Sequence, residues 1–350
     1  MNKIYCTLDE CKIGDILATD IYNQYGVLVV PEGSEMTEYI IARLRNLNIE
    51  NVAIYQPDET VSFSSYKYNI KKLKENYNTS VDVVKNVLND IASGKKVEYE
   101  KIIDISDALI GQAKTNFGVL ECLNELKTAD QYTYTHSVNV ALYAMLLGKW
   151  AELAEWQLRK LVNVGLLHDI GKAFIPPEIL NKTGTLTPEE YEIVKRHPVA
   201  GYNLIKDNDE ISPEIKKAVL MHHERENGTG YPLGASGSQI NIYAKIAAIA
   251  DVYDAITSDR VYRKKLTPFA AFREFERIGI GTGIFDTGLL LTFLKNISGY
   301  YTGIKVKLSN GEEGEVVYIP PNSISTPVVK VGNKFFDLYI EKDIDVVEII

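Results

Sequence analysis

Cysteine is scarce in this chain. Its 350 residues include three, Cys6, Cys11 and Cys122, too few and too scattered for a disulfide framework or a CxxC zinc site. Long apolar runs are missing as well. No stretch of about 18 apolar residues occurs, so no membrane span is expected. The opening MNKIYCTLDECKIGD has neither the basic start nor the apolar core of a signal peptide. Positive charge is in deficit: Lys and Arg number 38 against 47 Asp and Glu, a formal net charge of −9. A general nucleic-acid binder needs a basic field to displace counterions from phosphates, so a nucleic-acid polymer is excluded as a partner. Any anionic ligand must then be held by locally clustered cations or by metal. The expectation is a soluble cytoplasmic protein in a reducing compartment.

What is present is ordinary globular material, with 45% hydrophobic and 24% charged residues, which rules out wholesale disorder. Residues 1–65 read as a small α+β unit. Ile16-Leu17-Ala18, Val27 to Val30 and Val52 to Tyr55 are strand-like, Gly and Pro supply the breaks, and Thr37 to Leu47 reads as a helix. Residues 66–109 read as linker and amphipathic helix. Ile70, Leu73, Tyr77, Val81, Val84, Leu88 and Ile91 recur at spacings of three and four. Such a helix packs on its own domain or serves a homodimer or a signalling partner.

Residues 110–300 read as helical almost throughout. Thr187-Pro-Glu-Glu190 is a capping box with Pro at the first helical position. Ser212-Pro213 and Thr267-Pro268 start further helices, the latter expected to run to about Ile278. Ile242 to Ile256 is apolar nearly all round, which predicts a central buried helix. Residues 301–350 alternate and turn at Asn310-Gly311, as a small antiparallel β unit does. Val328 to Val331 and Phe335 to Ile340 add further strands there.

The five histidines carry the chemistry. His136, His168, His197, His222 and His223 all fall in one quarter of the chain. A lone helical His is usually structural; five gathered so closely point to a shared site, and metal ligation is the commonest shared role. Asp169 follows His168 directly, with Gly171 fitting a helix end where both can reach one site. Asp251 is the sole charge between Lys245 and Asp254 on the apolar helix, so it should be paired or metal-bound. Imidazoles and carboxylates without thiolate suit Fe, Mn, Co, Ni or Zn better than Mg or Ca. Seven ligands exceed one tetrahedral ion and divide well between two ions sharing Asp169. Paired ions are a standard solution for phosphoester hydrolysis, and they would let an acidic protein hold an anion.

These residues resemble the HD phosphohydrolase superfamily and its HD-GYP branch. His168-Asp169-Ile-Gly-Lys172 is similar to the HD motif. His222-His223-Glu224-Arg225-Glu-Asn-Gly228-Thr-Gly230-Tyr231-Pro232 is similar to the second signature. Asp130 to Ser137, Lys195 to Pro198 and Ala250 to Arg263 complete the match in order. The resemblance implies a mainly α protein, a helical HD-type bundle between the small α+β and antiparallel β units. It implies a metal-dependent phosphodiesterase of bacterial second-messenger signalling that hydrolyses cyclic di-GMP to linear pGpG, GMP or both. A non-catalytic cyclic-dinucleotide sensor or adaptor, and a hydrolase of another cyclic dinucleotide, are the alternatives.

By the same resemblance, His136, His168, Asp169 and Asp251 would hold one divalent ion, iron or manganese before zinc, cobalt or nickel. Asp169, His197, His222 and His223 would hold the second. Asp169 and Lys172 would serve catalysis, Lys172 by contacting a substrate phosphate. Tyr231, Asp254, Arg260 and Arg263 would face the dinucleotide. Two departures stand out. Tyr132 replaces the Glu of members with a third metal, so two ions are expected. Asn227 replaces the usual Asp before Gly228, a change expected to affect loop geometry slightly.

Overall fold

A computed structural model describes residues 3–12, 14–22, 28–30, 32–34, 36, 40–41, 44–45, 47–55, 63–113, 116–126, 132–258 and 266–350, with backbone alone at 63–70, 117, 125, 132–133 and 280. The chain divides into two compact units. One comprises Met1–Lys74, Gln112–Leu126 and Leu294–Ile350; the other comprises Glu75–Gly111 and Lys127–Phe293. The first unit takes in both terminal segments, which were expected as separate domains. Among the described residues, no helix is long and apolar enough to cross a membrane.

In the first unit, strands β1 (Lys3–Thr7) and β4 (Asn51–Tyr55) pair antiparallel, Cys6 opposite Val52. Strands β2 (Ile21–Tyr22) and β3 (Leu28–Val30) form a second antiparallel pair. Leu17, Ile21, Val29, Val30, Met36, Leu44, Val52 and Ile54 close a small core behind them. Ile16-Leu17-Ala18, expected as a strand, makes only a single bridge from Leu17 to Ile54. Most of the expected Thr37–Leu47 helix lies outside the described residues. Cys6 and Cys11, scattered to the eye, bring their sulfurs to 3.3 Å across the turn after β1. Both are free thiols, as is Cys122.

The C-terminal segment forms a five-stranded antiparallel sheet in the order β8-β7-β6-β5-β9. Its strands are β5 (Lys305–Leu308), β6 (Glu313–Tyr318), β7 (Val328–Val331), β8 (Lys334–Asp337) and β9 (Val346–Ile349). The β5–β6 turn is the expected one. Gly311 takes a φ of +88°, and Asn310 Oδ1 accepts from the Glu312 amide at 3.1 Å. β8 stops at Asp337, whose carboxylate accepts from the Tyr339 amide, so the strand expected to reach Ile340 is shorter. β9 was not anticipated.

The second unit is helical. α1 (Phe63–Ala92) begins in the first unit and continues here. Leu73, Tyr77, Val81, Val84, Leu88 and Ile91 are all buried, as their spacing requires. Gly94 ends it at a φ of +81°, where its amide and that of Lys95 bond back to Ile91 and Asp90 carbonyls. α2 (Tyr99–Gln112) follows, then α3 (Asn116–Glu125) in the first unit and α4 (Tyr132–Trp150) in the second. α5 (Glu155–Leu167) leads through a 3₁₀ turn (Ile170–Phe174) to α6 (Pro177–Leu180). α7 (Pro188–Val194) carries the expected capping box, and α8 (His197–Ile205) and α9 (Pro213–Met221) come next. α10 (Ile242–Thr257) is the expected buried helix. α11 (Pro268–Phe275) widens into a π-helical turn (Glu276–Ile280), and α12 (Thr287–Tyr300) closes the run.

α4 is buried continuously from Val138 to Leu147 and packs against both α5 and α10. A helix segment covered on all sides needs apolar residues all round, which α4 supplies from Val140 to Leu147 and α10 from Ile246 to Ala250. At one end of this core, Phe293 is fully buried and meets the rings of Tyr143, Tyr253 and Phe275 at 5.0–6.5 Å. Phe293→Ala should cost about 3–5 kcal/mol in chemical denaturation of the helical unit, from lost burial plus the cavity left behind.

Candidate metal centre

Three helices end at one place and each delivers a histidine. His168 caps the C-terminus of α5, and His222 caps that of α9. His197 follows the end of α7 and opens α8. A helix leaves its last carbonyls without partners. Here each histidine takes up the carbonyl three residues back. Nδ1 lies 2.8 Å from the Gly165 oxygen in His168, 2.8 Å from Val194 in His197 and 2.7 Å from Val219 in His222. A carbonyl can only accept, so Nδ1 carries the proton and Nε2 presents a lone pair.

Those lone pairs converge. His197 Nε2 is 3.1 Å from His222 Nε2. Oδ1 of Asp169 is 3.2 Å from His197 Nε2 and 4.0 Å from His222 Nε2. Its Oδ2 faces the other way, 3.3 Å from His168 Nε2 and 3.6 Å from His136 Nε2. On that side Asp251 Oδ1 stands 3.1 Å from His136 Nε2, and Oδ2 stands 3.9 Å from His223 Nδ1. His168 Nε2 and Asp169 Oδ1 are buried with no aligned hydrogen bond. Facing lone pairs beside unsatisfied carboxylate oxygens are repulsive and costly unless a cation lies among them. Three sets have donor atoms within 4.8 Å of one another: His197, His222 and His223; His136, His168 and Asp251; and His168, Asp169 and His222. The donor set fits divalent transition metals.

Electrostatics agree with that fit. Burial pushes His222 and His223 well below the usual imidazole range, and neighbouring histidines push His222 the same way. Burial drives Asp169 towards protonation, but His168 and Lys172 hold it well below the usual carboxylate range. Asp251 is held down likewise, by His136 first. Neutral imidazoles with ionised carboxylates are the ligating forms. Burial opposes charge on His136, yet hydrogen bonds to Asp251 and Asp254 outweigh it and raise the ring to about 9.

The sequence of the HD domain family matches residues 102–278. The chain belongs to that family. A cyclic di-GMP phosphodiesterase of Pseudomonas aeruginosa is 38% identical over 248 residues, 71% of this chain and 59% of the relative. A cyclic di-GMP phosphodiesterase of Borreliella burgdorferi is 32% identical over 203 residues, 58% of this chain and 53% of the relative. A 3′3′-cGAMP-specific phosphodiesterase of Vibrio cholerae is 33% identical over 184 residues, 51% and 41% of the two chains. The chain thus spans roughly half the length of the curated relatives it matches. An HDG"Y"P protein of Bdellovibrio bacteriovorus shares the fold, with a TM-score of 0.54 at 16% identity over 85% of this chain and 99% of the other.

Within this HD domain, one site expectation needs correction. Asp254 does not face an open ligand surface. It is fully buried, and its Oδ2 binds His136 Nδ1 at 2.8 Å. Its Oδ1 accepts from Asn139 Nδ2 at 2.8 Å and from Ser258 Oγ at 2.7 Å. Asp254 therefore orients His136. Lys172 Nζ donates to Asp169 Oδ2 and stays partly exposed. Gly171 permits the 3₁₀ turn to lie against α8: a Cβ there would fall 2.0 Å from the His197 oxygen. Arg260 and Arg263 lie outside the described residues, as does the side chain of Tyr132.

The second signature folds back over the cluster. Tyr231 stacks on His223, ring centroids 4.7 Å apart. A Cβ on Gly230 would meet the Glu224 Cα at 2.4 Å, so only glycine allows this approach. In the sequence Glu224 stands only as part of the second signature. It is buried, and accepts from the Leu233 amide at 2.6 Å and the Ala235 amide at 2.9 Å. Asn227 Oδ1 accepts from the Thr229 amide, and its Nδ2 donates to the Thr282 carbonyl, a bond the usual Asp could not make. Lys195 Nζ lies 5.6 Å from the ring centres of Tyr191 and Tyr231. Glu224→Ala should free the Leu233 and Ala235 amides. Hydrogen exchange at both should accelerate roughly tenfold or more, the scale of charge-assisted bonds, while exchange in α4 is unchanged. Unaltered protection at 233 and 235 would count against this anchoring role.

Proposed function

We propose that this chain is a metal-dependent phosphodiesterase acting on cyclic di-GMP. The observation that carries the reading is the division of Asp169, one oxygen facing His197 and His222, the other facing His136 and His168. That division suits two ions sharing one carboxylate. Asp251 completes the set on the His136 side and His223 the set with His197 and His222. The names of the curated relatives supply the substrate class. With no ligand lost, the sensor alternative has no support from the residues.

Two ions of iron or manganese would activate water and draw charge from the attacked phosphate. The chain's own residues do the rest. The backbone carbonyls of Gly165, Val194 and Val219 hold three imidazoles in one tautomer, and Asp254 does so for His136. Lys172 keeps Asp169 ionised and brings a cation to the phosphate side. The stacked Tyr231 covers His223 and limits access of bulk water there. Arg260 and Arg263 are proposed to grip the dinucleotide from the segment after α10.

The test is anaerobic purification, metal quantification and product analysis with cyclic di-GMP and 3′3′-cGAMP in parallel. Linear pGpG or GMP from cyclic di-GMP supports the reading; hydrolysis of 3′3′-cGAMP alone reassigns the substrate. Asp169→Ala should lose at least one metal per chain and lower turnover by roughly 10³-fold or more, with helical content retained, as removal of a shared ligand implies. Two metals and near-normal turnover in that variant would refute the shared-ligand assignment. Arg260→Ala should raise KM with metal content unchanged, lowering kcat/KM by roughly 10- to 150-fold, equivalent to about 1.5–3 kcal/mol for one charge-assisted contact. An effect below about twofold would return Arg260 to a solvated surface.

A further inference from the structure

A buried chain of hydrogen bonds leads away from the metal centre into α1. His136 Nδ1 bonds Asp254 Oδ2 at 2.8 Å, and Asp254 Oδ1 accepts from Asn139 Nδ2 at 2.8 Å. Asn139 Oδ1 in turn accepts from the Tyr77 hydroxyl at 2.6 Å. All four residues are 2% exposed or less. The polarity of this chain is forced. The carboxylate can only accept, so the amide must turn its nitrogen to Asp254 and its oxygen to Tyr77, and the phenol must donate. Tyr77 precedes His136 by 59 positions and sits on a different helix, so the fold alone creates the link.

We propose that Asn139 and Tyr77 are positioning residues for the metal ligand His136, acting through Asp254. The inference rests on the proposed role of His136 as a ligand. Its physical basis is the outer-partner effect: a carboxylate on the far nitrogen of an imidazole fixes the ring and strengthens its lone pair. A buried carboxylate does this only while its own oxygens are held. Asn139 and Ser258 hold Oδ1 of Asp254. The Tyr77 hydroxyl polarises the Asn139 amide and so strengthens the bond its nitrogen donates. Packing alone does not require this arrangement. A Phe at 77 would fill the same space, and a Leu at 139 would suit a helix otherwise apolar from Val138 to Leu147. The hydroxyl and the amide are there for the bonds they make. Any change that moves α1 at Tyr77 acts on the metal ligand.

The experiment is cobalt(II) titration of the metal-free full chain, read by visible absorption and by chelator competition, with folding checked by circular dichroism. Tyr77→Phe should weaken cobalt binding roughly two- to tenfold, the scale of one hydrogen bond. Asn139→Ala should weaken it roughly 10- to 100-fold, as loss of an outer partner does. In the double variant the Tyr77→Phe effect should vanish, because the chain is already cut. Tyr99→Phe is the control. Its buried hydroxyl bonds Asn163 at 2.9 Å, off this chain, and its loss should leave cobalt affinity unchanged. Wild-type affinity in Tyr77→Phe, additive effects in the double variant, or an equal loss in Tyr99→Phe would each overturn the relay alone. If Asn139→Ala does not fold, Tyr77→Phe against Tyr99→Phe decides. Wild-type protein that binds no cobalt would overturn the proposed function as well.

Discussion

Everything at the centre depends on where three helices stop. The last turn of a helix leaves carbonyls unpaired, and at α5, α7 and α9 a histidine fills one of them from three residues on. That single bond does two things at once. It completes the helix end inside a core where water cannot, and it fixes the proton on Nδ1 so that Nε2 is left as a lone pair. Helix C-termini also carry partial negative charge. Their carbonyl ends therefore add to the field of Asp169 and Asp251, and the pocket they enclose favours a cation before any ligand bond forms.

This explains why so polar a cluster sits in so apolar a surround. His136, His168, Asp169, His197 and His222 are each 2% exposed or less, while α4 from Val140 to Leu147 and α10 from Ile246 to Ala250 are buried and wholly apolar. In a low-dielectric interior, unpaired donors and acceptors are expensive, but a cation that satisfies them is bound correspondingly firmly. Metal binding and folding are then coupled. The close approaches that hold the cluster, Gly171 under His197 and Gly230 under Glu224, leave no room for even one methyl group. The geometry is set by backbone contact rather than by adjustable side chains.

The clustering of the histidines with Asp169 and Asp251 was legible because these residues are rare and several stand at helix ends, where adjacent residues such as His168 and Asp169 can share a site. The helices were legible where period and caps agreed, as in α1, α7 and α10. What failed needed tertiary partners. Asp254 was assigned to the ligand surface because it lies three residues from Asp251, nearly on one face. The same spacing serves equally well to send it under His136, and only the position of α4 decides. Asn139 is three residues after His136 on a helix otherwise apolar from Val138 to Leu147, so its spacing puts it near the same face. Tyr77 has on α1 the spacing of an ordinary core residue, and only the fold brings its hydroxyl to Asn139. The Cys6–Cys11 approach depends on a turn whose bonds, Thr7 amide and hydroxyl to Glu10, are invisible in composition.

A cyclic dinucleotide, the substrate proposed above, has two phosphates, and a chain of net charge −9 would have to hold them against its own charge. Long-range attraction works against it, so recognition must be short-ranged. At the centre two ionised carboxylates stand among the imidazoles, and divalent cations held there would turn the pocket locally positive. Lys172 stands beside Asp169, and Lys195 stands between two tyrosine rings a short way along the wall. Surface charge of the wrong sign lowers the rate of encounter but not the affinity of a desolvated contact, because screening beyond about 8–10 Å removes most of the distant repulsion at ordinary salt. The acidity of the exterior and the anion chemistry of the interior are therefore compatible, provided the cations are buried with the site and not spread over the surface.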